Sequence, residues 1–137
     1  MANLPDRLYI DKADRVLYDN DIINNEILYG KTRKDQFLFT MAIGFKNKVK
    51  RSLESREGFF LAKDLHTKDE ALIDIVAVYD NGSVDLLHKR EDVYRIAEEY
   101  AHAGIRLLYD EVSSGQPGSY FKKLELELTK LVESINK

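Results

Sequence analysis

The sequence predicts a mainly α-helical fold, a compact helical domain of about five helices with one short N-terminal strand. Apolar residues repeat at helical spacing along most of the chain, turn-forming residues separate these segments, and only residues 7–10 alternate between polar and apolar side chains. The chain has 137 residues, 44% hydrophobic and 33% charged, which is enough to bury a core without cross-links. We expect a single domain over residues 1–137, composed of a strand-helix-helix half (1–63) and a helical half (64–137).

The composition and the distribution of charge narrow the classes of function. There is no cysteine, which excludes disulfides, thiolate metal sites and cysteine nucleophiles. No signal-peptide pattern and no bilayer-spanning apolar run is seen, so we expect a cytoplasmic protein without membrane contact. The net charge is −3, but residues 1–63 hold 12 Lys and Arg against 9 Asp and Glu, whereas residues 64–137 hold 9 against 15. This asymmetry is compatible with a face that meets nucleic acid and also with ordinary scatter of surface charge.

The N-terminal segment predicts a strand followed by a helix. Residues 7–10 are too short to form an independent strand and need a partner strand, for example from a second copy of the chain. Asp11 is placed to cap a first helix over about 12–20. The Asp- and Asn-rich connection that follows favours turns. Four apolar residues in this connection are nevertheless expected to be buried: Ile22, Ile23, Ile27 and Leu28.

The segment 30–51 predicts the central helix. Gly30 fits a turn, Thr32 is a good N-cap, and Asp35 suits the positive end of the helix dipole. Gly30-Lys31-Thr32 also matches the end of a phosphate-binding loop, but that motif requires glycine where this chain has Asn25, so we interpret it as turn and cap. The apolar face of the predicted helix consists of Phe37, Leu38, Met41, Ala42 and Phe45, widened by Phe39 and Ile43.

The middle of the chain is less regular. Residues 52–58 are polar and loop-like, and residues 59–61 form an apolar anchor. Thr67 with Glu70 forms a capping-box pattern that favours a helix over residues 70–80, ended by Gly82. A buried strand over residues 71–76 is the alternative. The predicted helix face carries Leu72, Ile75, Val76 and Tyr79.

Two further helices are predicted, over about 90–111 and 119–135, joined by a linker over residues 113–118. Gly104 lies on the apolar face of the first of these. Glycine there lowers helix propensity by up to about 1 kcal/mol relative to alanine. Its position therefore predicts a close helix crossing.

No catalytic or metal-binding motif is found. His66, His88 and His102 lie 22 and 14 residues apart and match no ligand pattern, and we expect His102 to be solvated. The pair Glu98-Glu99 resembles a solvated helix face. Restriction-type nucleases place an acidic residue two positions before a lysine of their site. No lysine of this chain has an acidic residue at that position. We expect no cofactor, no metal and no enzymatic activity.

Basic residues at both ends of the predicted central helix are the candidate DNA-binding site. Such groups bind phosphate without sequence specificity, which makes double-stranded DNA a candidate partner. The simpler interpretation is that lysines favour the C-terminal end of a helix dipole and water. The seven candidates are Lys31, Arg33, Lys34, Lys46, Lys48, Lys50 and Arg51.

The order strand, helix, Gly-x-Thr-Arg turn, helix resembles a ribbon-helix-helix module. That resemblance implies a homodimer in which two copies pair their strands in the major groove. Arg7 and Tyr9 would be ribbon residues, and residues 31–33 would lie near backbone phosphate. Asp6 and Asp11, which flank the strand, depart from a ribbon that reads DNA.

The chain also resembles the small bacterial family catalogued as the fourth DNA phosphorothioation (Dnd) system-associated protein. The resemblance rests on GKTRKDQFLFTMAIGFKNKVKR, on EEYAHAGIRLLYDEV and, more weakly, on DEALIDIVAVYDNG, and it covers roughly residues 5–115. It implies an anti-phage defence context in which DNA with sulfur in its backbone is made or sensed. It supplies no catalytic residues.

Two functional hypotheses follow. The first is a non-enzymatic accessory protein that binds DNA or docks on a larger nuclease or ATPase partner. The second is a protein-interaction module without DNA contact, with exposed tyrosines as its interface. The tyrosine candidates are Tyr94, Tyr100, Tyr109 and Tyr120.

Overall fold

The computed structural model describes residues 4–114 and 117–135, and most of them are helical. The strands and α-helices are β1 Arg7–Asp11, α1 Arg15–Tyr18, α2 Arg33–Lys46, β2 Arg56–Leu61, α3 Thr67–Asn81, α4 Arg90–Ser114 and α5 Pro117–Ile135. They are joined by 3-10 segments at Lys12–Asp14, Ala62–Asp64 and Val84–His88 and by a π-helical segment at Ile23–Ile27. The predicted mainly α fold with a short N-terminal strand is confirmed. No helix in the described part of the chain has the length and apolarity needed to cross a membrane.

Helices α2 and α4 cross so closely that their backbones touch. A methyl group added at Gly104 would lie 1.7 Å from the carbonyl oxygen of Thr40, and one added at Gly44 would lie 2.1 Å from that of Tyr100. Because both neighbours are backbone atoms, a side chain at either position would force the helices apart. The close crossing predicted from Gly104 is confirmed, and Gly44 is its counterpart on α2.

The core is built around this crossing. Both helices place fully buried apolar side chains around the crossing, and each one larger than alanine contributes about 1.5–3 kcal/mol by leaving water. The predicted central position of α2 is therefore confirmed. The fully buried residues are Phe37, Met41 and Ile43 from α2 and Val93, Ala97, Ile105 and Leu108 from α4.

Helix α3 confirms the helical interpretation of residues 70–80, so the strand alternative is wrong. Its N-terminal cap lies one residue before the predicted one, because the His66 N–H donates to Asp69 Oδ2 at 2.9 Å. Thr67 is the first helical residue rather than the cap. At the other end Gly82 has φ +84°, the left-handed conformation predicted for a helix stop.

The buried face of α3 differs from the predicted face. Tyr79 is 74% exposed, and Leu72 and Ile75 are half-buried. Val76 is the member of the predicted set that lies in the core. The periodicity of this segment allows two overlapping faces, and packing on α4 selects one of them. The buried residues are Ile73, Val76 and Ala77.

Strand β1 pairs with β2 of the same chain in a two-stranded antiparallel sheet. The register aligns Arg7 with Leu61 and Asp11 with Arg56, and a bulge lies between Leu8 and Tyr9. Two expectations are corrected here. Residues 56–58 are part of a strand rather than a loop, and the partner of β1 does not come from a second copy. The first half of β2 is polar and ends in a glycine, which is unusual for a strand. Its partner strand lies about 50 positions earlier in the chain, so no local pattern indicates the pairing.

On each outer edge of this two-stranded sheet, a side chain is hydrogen-bonded to a backbone group. Glu98 of α4 accepts the backbone N–H of Tyr9 at 3.1 Å, and Arg15 donates to the carbonyl of Gly58 at 3.0 Å. Edge groups that are already bonded hinder further strand pairing. The N-terminal half has the order strand, helix, helix. However, β1 pairs with β2 of the same chain and does not form the intermolecular ribbon that the ribbon-helix-helix resemblance implies.

The remaining connections also differ from the predictions. The first helix, predicted over about 12–20, is a 3-10 turn followed by the four residues of α1. In the next connection Ile23, Ile27 and Leu28 are buried as expected, whereas Ile22 is exposed. In the predicted linker, residues 113–114 complete α4 and residues 117–118 begin α5, while residues 115–116 lie outside the described residues.

Substitution at the crossing tests how tightly it constrains the fold. Gly104→Ala and Gly44→Ala should each lower the free energy of unfolding by about 3 kcal/mol or more, since overpacking against backbone allows little relief. Urea unfolding of the purified variants measures this.

The matched control for these variants is Gly82→Ala. Gly82 has a positive φ but no atom within 4 Å of an added methyl group. Only backbone strain of about 1–2 kcal/mol is expected there. A loss at Gly104 no larger than the loss at Gly82 would contradict the close crossing.

Candidate functional site

The seven basic residues predicted to contact DNA lie at the two ends of α2. Residues 31–34 precede or begin the helix, and residues 46–51 end or follow it. A helix of 14 residues is about 20 Å long. The two groups are therefore separate surfaces rather than one compact site.

At the N-terminal end of α2, Arg33 is held by neighbouring side chains. Its guanidinium donates to Asp19 Oδ1 at 2.7 Å and to Gln36 Oε1 at 2.9 Å. It also stacks over the Phe59 ring, 5.0 Å from the ring centroid. The helix itself begins as predicted, because the Thr32 hydroxyl accepts the N–H of Asp35 at 3.2 Å.

The two lysines of this group differ. Lys34 is largely buried and its ammonium lies 2.8 Å from Asp69 and 3.1 Å from Asp35. The hydrogen bond to Asp69 raises the pKa of Lys34, so this lysine stays charged. Its charge is balanced by carboxylates of the same chain. Lys31 is exposed and has no ion pair with the described residues.

At the C-terminal end of α2, two lysines form ion pairs with the acidic half of the chain. The Lys46 ammonium lies 2.5 Å from Glu127, and that of Lys50 lies 2.9 Å from Asp80. Asp80 also accepts the hydroxyl of Tyr100 at 2.7 Å. The carboxylates that meet these lysines therefore come from α5 and α3.

Lys48 and Arg51 are exposed and have no ion pair within the described part of the chain. Lys48 has φ +57° and ends α2 where glycine is usual. Its N–H donates to the Phe45 carbonyl at 3.1 Å, and the next N–H, from Val49, donates to Gly44 at 3.0 Å. Lys48 thus has a structural role in the helix end, while its ammonium remains in solvent.

Four of the seven candidates are therefore paired with carboxylates of the same chain: Arg33, Lys34, Lys46 and Lys50. A cation already paired has fewer donors left for phosphate, and the carboxylate beside it repels the phosphate. Three candidates have no such ion pair among the described residues and are here called the uncommitted cations: Lys31, Lys48 and Arg51.

Helix α4 contains a buried carboxylate that was not predicted from the sequence. Glu98, expected to be solvated, is 1% exposed and accepts hydrogen bonds from Tyr9 N–H at 3.1 Å and from Arg56 at 2.9 Å. Burial raises the pKa of Glu98 to about 7, although Arg56 favours the charged form. One signal was present in the sequence, since Glu98 lies three and seven residues before the buried Ala101 and Ile105.

A cleft of about 190 Å³ opens above Glu98, between the two-stranded sheet and the first turns of α4. It brings together residues from three parts of the sequence, 5–9, 56 and 91–98, which explains why no local motif revealed it. Its lining contains three arginines, three acids and two tyrosines. The lining residues are Pro5, Asp6, Arg7, Tyr9, Arg56, Glu91, Tyr94, Arg95 and Glu98.

His102 is also buried, contrary to the prediction that it is solvated. It is 5% exposed, and its Nδ1 atom forms a hydrogen bond with the fully buried Asp14. Arg106 adds Nη2 and Nε contacts to Asp14 at 3.1 and 3.2 Å. The 3-10 turn after β1 covers this part of α4, so a polar position outside the apolar face becomes interior. No group of three or more potential metal ligands converges among the described residues.

Two tyrosines expected at an exposed interface are buried instead. Tyr94 donates its hydroxyl to Glu70 at 2.5 Å, and Tyr100 donates to Asp80. Burial raises the pKa of each to about 12. Tyr109 is half-buried, and the side chain of Tyr120 lies outside the described residues. The predicted tyrosine interface is therefore wrong for Tyr94 and Tyr100.

The buried Glu98 should make stability depend on pH. Its pKa is about 7 in the folded chain against 4.5 as the ordinary value, so the folded state binds the proton more tightly. The contribution of Glu98 to the free energy of unfolding should therefore be largest below about pH 4.5. It should fall by roughly 3 kcal/mol as the pH rises through 7. Glu98→Gln should remove this fall, as measured by urea unfolding from pH 5 to 8.

Glu111→Gln, an exposed acid on the same helix, is the matched control and should keep the wild-type pH dependence. An unchanged slope in Glu98→Gln would show that another group is responsible.

Asp14→Asn tests the buried contact with His102 and Arg106. Removing one partner of a buried ion pair leaves the others uncompensated and should lower the free energy of unfolding by about 3–5 kcal/mol. Asp110→Asn, at an exposed position on α4, should change it by less than about 0.5 kcal/mol. A loss below 1 kcal/mol at Asp14 would mean that the cluster contributes little to stability.

Comparison with known proteins adds to this geometry. A family model described as DNA sulphur modification system-associated protein 4 matches residues 23–134. No curated protein matches the chain, and no solved structure does. The match begins after β1 and extends into α5, so the predicted extent of the resemblance, residues 5–115, was wrong at both ends. The family itself was predicted correctly: the chain belongs to the family of DNA sulphur modification system-associated protein 4.

Proposed function

We propose that this chain is a non-enzymatic accessory subunit of a bacterial DNA sulphur modification system, acting in the cytoplasm in defence against phage. It would act by docking on a protein component of that system, such as a larger nuclease or ATPase. Membership of the family associates the chain with the system. The proposal adds the mode of action.

The observation that carries protein docking is the internal pairing of the basic residues. Four of the seven candidate cations are bound to carboxylates of the same chain. Nonspecific DNA binding depends on the number of cations that neutralise phosphates, so few uncommitted cations imply weak binding. A net charge of −3 opposes approach to a polyanion further.

Contact with DNA is the second candidate function, and the exposed cations favour it. Lys31 lies before one end of α2, and Lys48 and Arg51 lie beyond the other. All three are exposed and without ion pairs among the described residues. They could contact phosphates without breaking any pairing inside the protein.

Affinity capture of tagged protein from native cells, with and without nuclease treatment, separates the two functions. Under the docking proposal, a component of the same modification system is recovered in both conditions. The triple variant Lys31→Glu, Lys48→Glu, Arg51→Glu should recover it equally well, since it removes only uncommitted cations.

The matched control has the same number of charge reversals at exposed lysines elsewhere: Lys12→Glu, Lys68→Glu and Lys89→Glu. Loss of the partner upon nuclease treatment, or in the first variant but not in the control, would favour DNA contact and overturn docking. Duplex binding by fluorescence anisotropy between 50 and 200 mM salt gives the direct measure, because phosphate contacts weaken steeply with salt.

A further inference from the structure

The cleft above Glu98 has arginines on three sides. Arg7 comes from β1, Arg56 from β2 and Arg95 from α4, and the cleft between them has a volume of about 190 Å³. Small-molecule pockets usually measure about 300–1,000 Å³, so this cleft suits one chemical group rather than a whole ligand.

These guanidinium groups retain unused hydrogen-bond donors. A guanidinium has five N–H donors. Arg7 donates from Nε to Asp6 at 3.2 Å, which leaves its two terminal nitrogens. Arg56 donates from Nη2 to Glu98 at 2.9 Å, and its guanidinium lies over the Tyr9 ring, 4.2 Å from the centroid. The nearest acid to Arg95 is Asp92 at 3.7 Å, which is beyond hydrogen-bond distance.

We infer that this arginine cleft binds one carboxylate group, presented by an acidic side chain of a protein partner. The inference rests on the proposed function, because it supplies the chemistry of the docking contact. Clusters of arginine recognise acidic and phosphorylated motifs through planar, paired hydrogen bonds.

The acids of the cleft favour a carboxylate over a phosphate. Asp6, Glu91 and Glu98 balance the three arginines, so each added negative charge on the ligand also meets repulsion. A carboxylate brings one negative charge and a phosphate monoester nearly two. A DNA duplex brings a row of phosphate charges, which would meet the same acids.

A side-chain carboxylate is favoured over a chain terminus. Terminal carboxylates are typically captured by backbone N–H groups. The N–H of Tyr9 is already bound to Glu98, whereas the unused donors belong to the arginine side chains.

NMR titration of the full chain at pH 8 tests the cleft directly, with the arginine Nε–Hε signals as the readout. The probe is glutamate with its amino group acetylated and its α-carboxyl amidated, so that only the side-chain carboxylate remains. Saturable shifts are expected at Arg56 and Arg95 and none at Arg51, which is exposed outside the cleft.

Two variants should change the affinity for this probe in opposite directions. Arg95→Gln should weaken binding by on the order of tenfold, the loss of one charge-assisted contact. Glu98→Gln should tighten it, because it removes a negative charge beneath the bound carboxylate. Arg51→Gln, which changes the net charge as Arg95→Gln does, should leave the affinity unchanged.

Several outcomes would overturn the inference. These are the absence of a saturable shift, tighter binding of inorganic phosphate or of a DNA duplex at the same arginines, and an equal effect of Arg51→Gln and Arg95→Gln.

Affinity capture separates failure of this inference from failure of the proposed function. If wild type and Arg95→Gln recover the same component of the modification system equally, docking stands and the cleft is not its site. If wild type recovers no such component, docking fails, whatever the titration shows.

Discussion

The backbone contact between α2 and α4 is the constraint on which the rest of the structure depends. Gly44 and Gly104 lie where the helices meet, and each faces a carbonyl oxygen of the other helix. This approach lets the apolar faces of both helices pack around one core. It also brings a helix from the basic half of the chain against one from the acidic half, and the N–H of Arg51 reaches the carbonyl of Glu99 at 3.1 Å.

In this arrangement, basic residues of the N-terminal half form ion pairs with acidic residues of the C-terminal half. Each of four ion pairs joins a cation from residues 1–63 to a carboxylate from residues 64–137: Lys34–Asp69, Lys46–Glu127, Lys50–Asp80 and Arg56–Glu98. The pair most open to solvent on both sides, Lys46–Glu127, contributes only about 0–1 kcal/mol. Their larger consequence is for function, because charge that looks available for phosphate in the sequence is mostly shared within the protein.

Buried polar groups attach the two-stranded sheet to α4. Glu98 covers the edge of β1 at Tyr9 and binds Arg56 of β2, while Asp14 joins the turn after β1 to His102. Such groups require their partners, since an unpaired buried charge is strongly unfavourable. The sheet therefore occupies a defined position on α4, and the arginine cleft lies at the boundary that these contacts create.

The sequence by itself determined the features that depend on local chemistry or on one helix face. Thr32 as a cap, the helical state of residues 70–80, and Gly104 as a crossing point could all be predicted, because each follows from short-range hydrogen bonding or periodicity. Family membership also followed from segment patterns. Only the tertiary structure decided the pairing of β2, the burial of Glu98 and His102, and which cations remain free. Helical periodicity marks one face of a helix, but whether a polar residue beside that face is covered depends on segments far away in the chain.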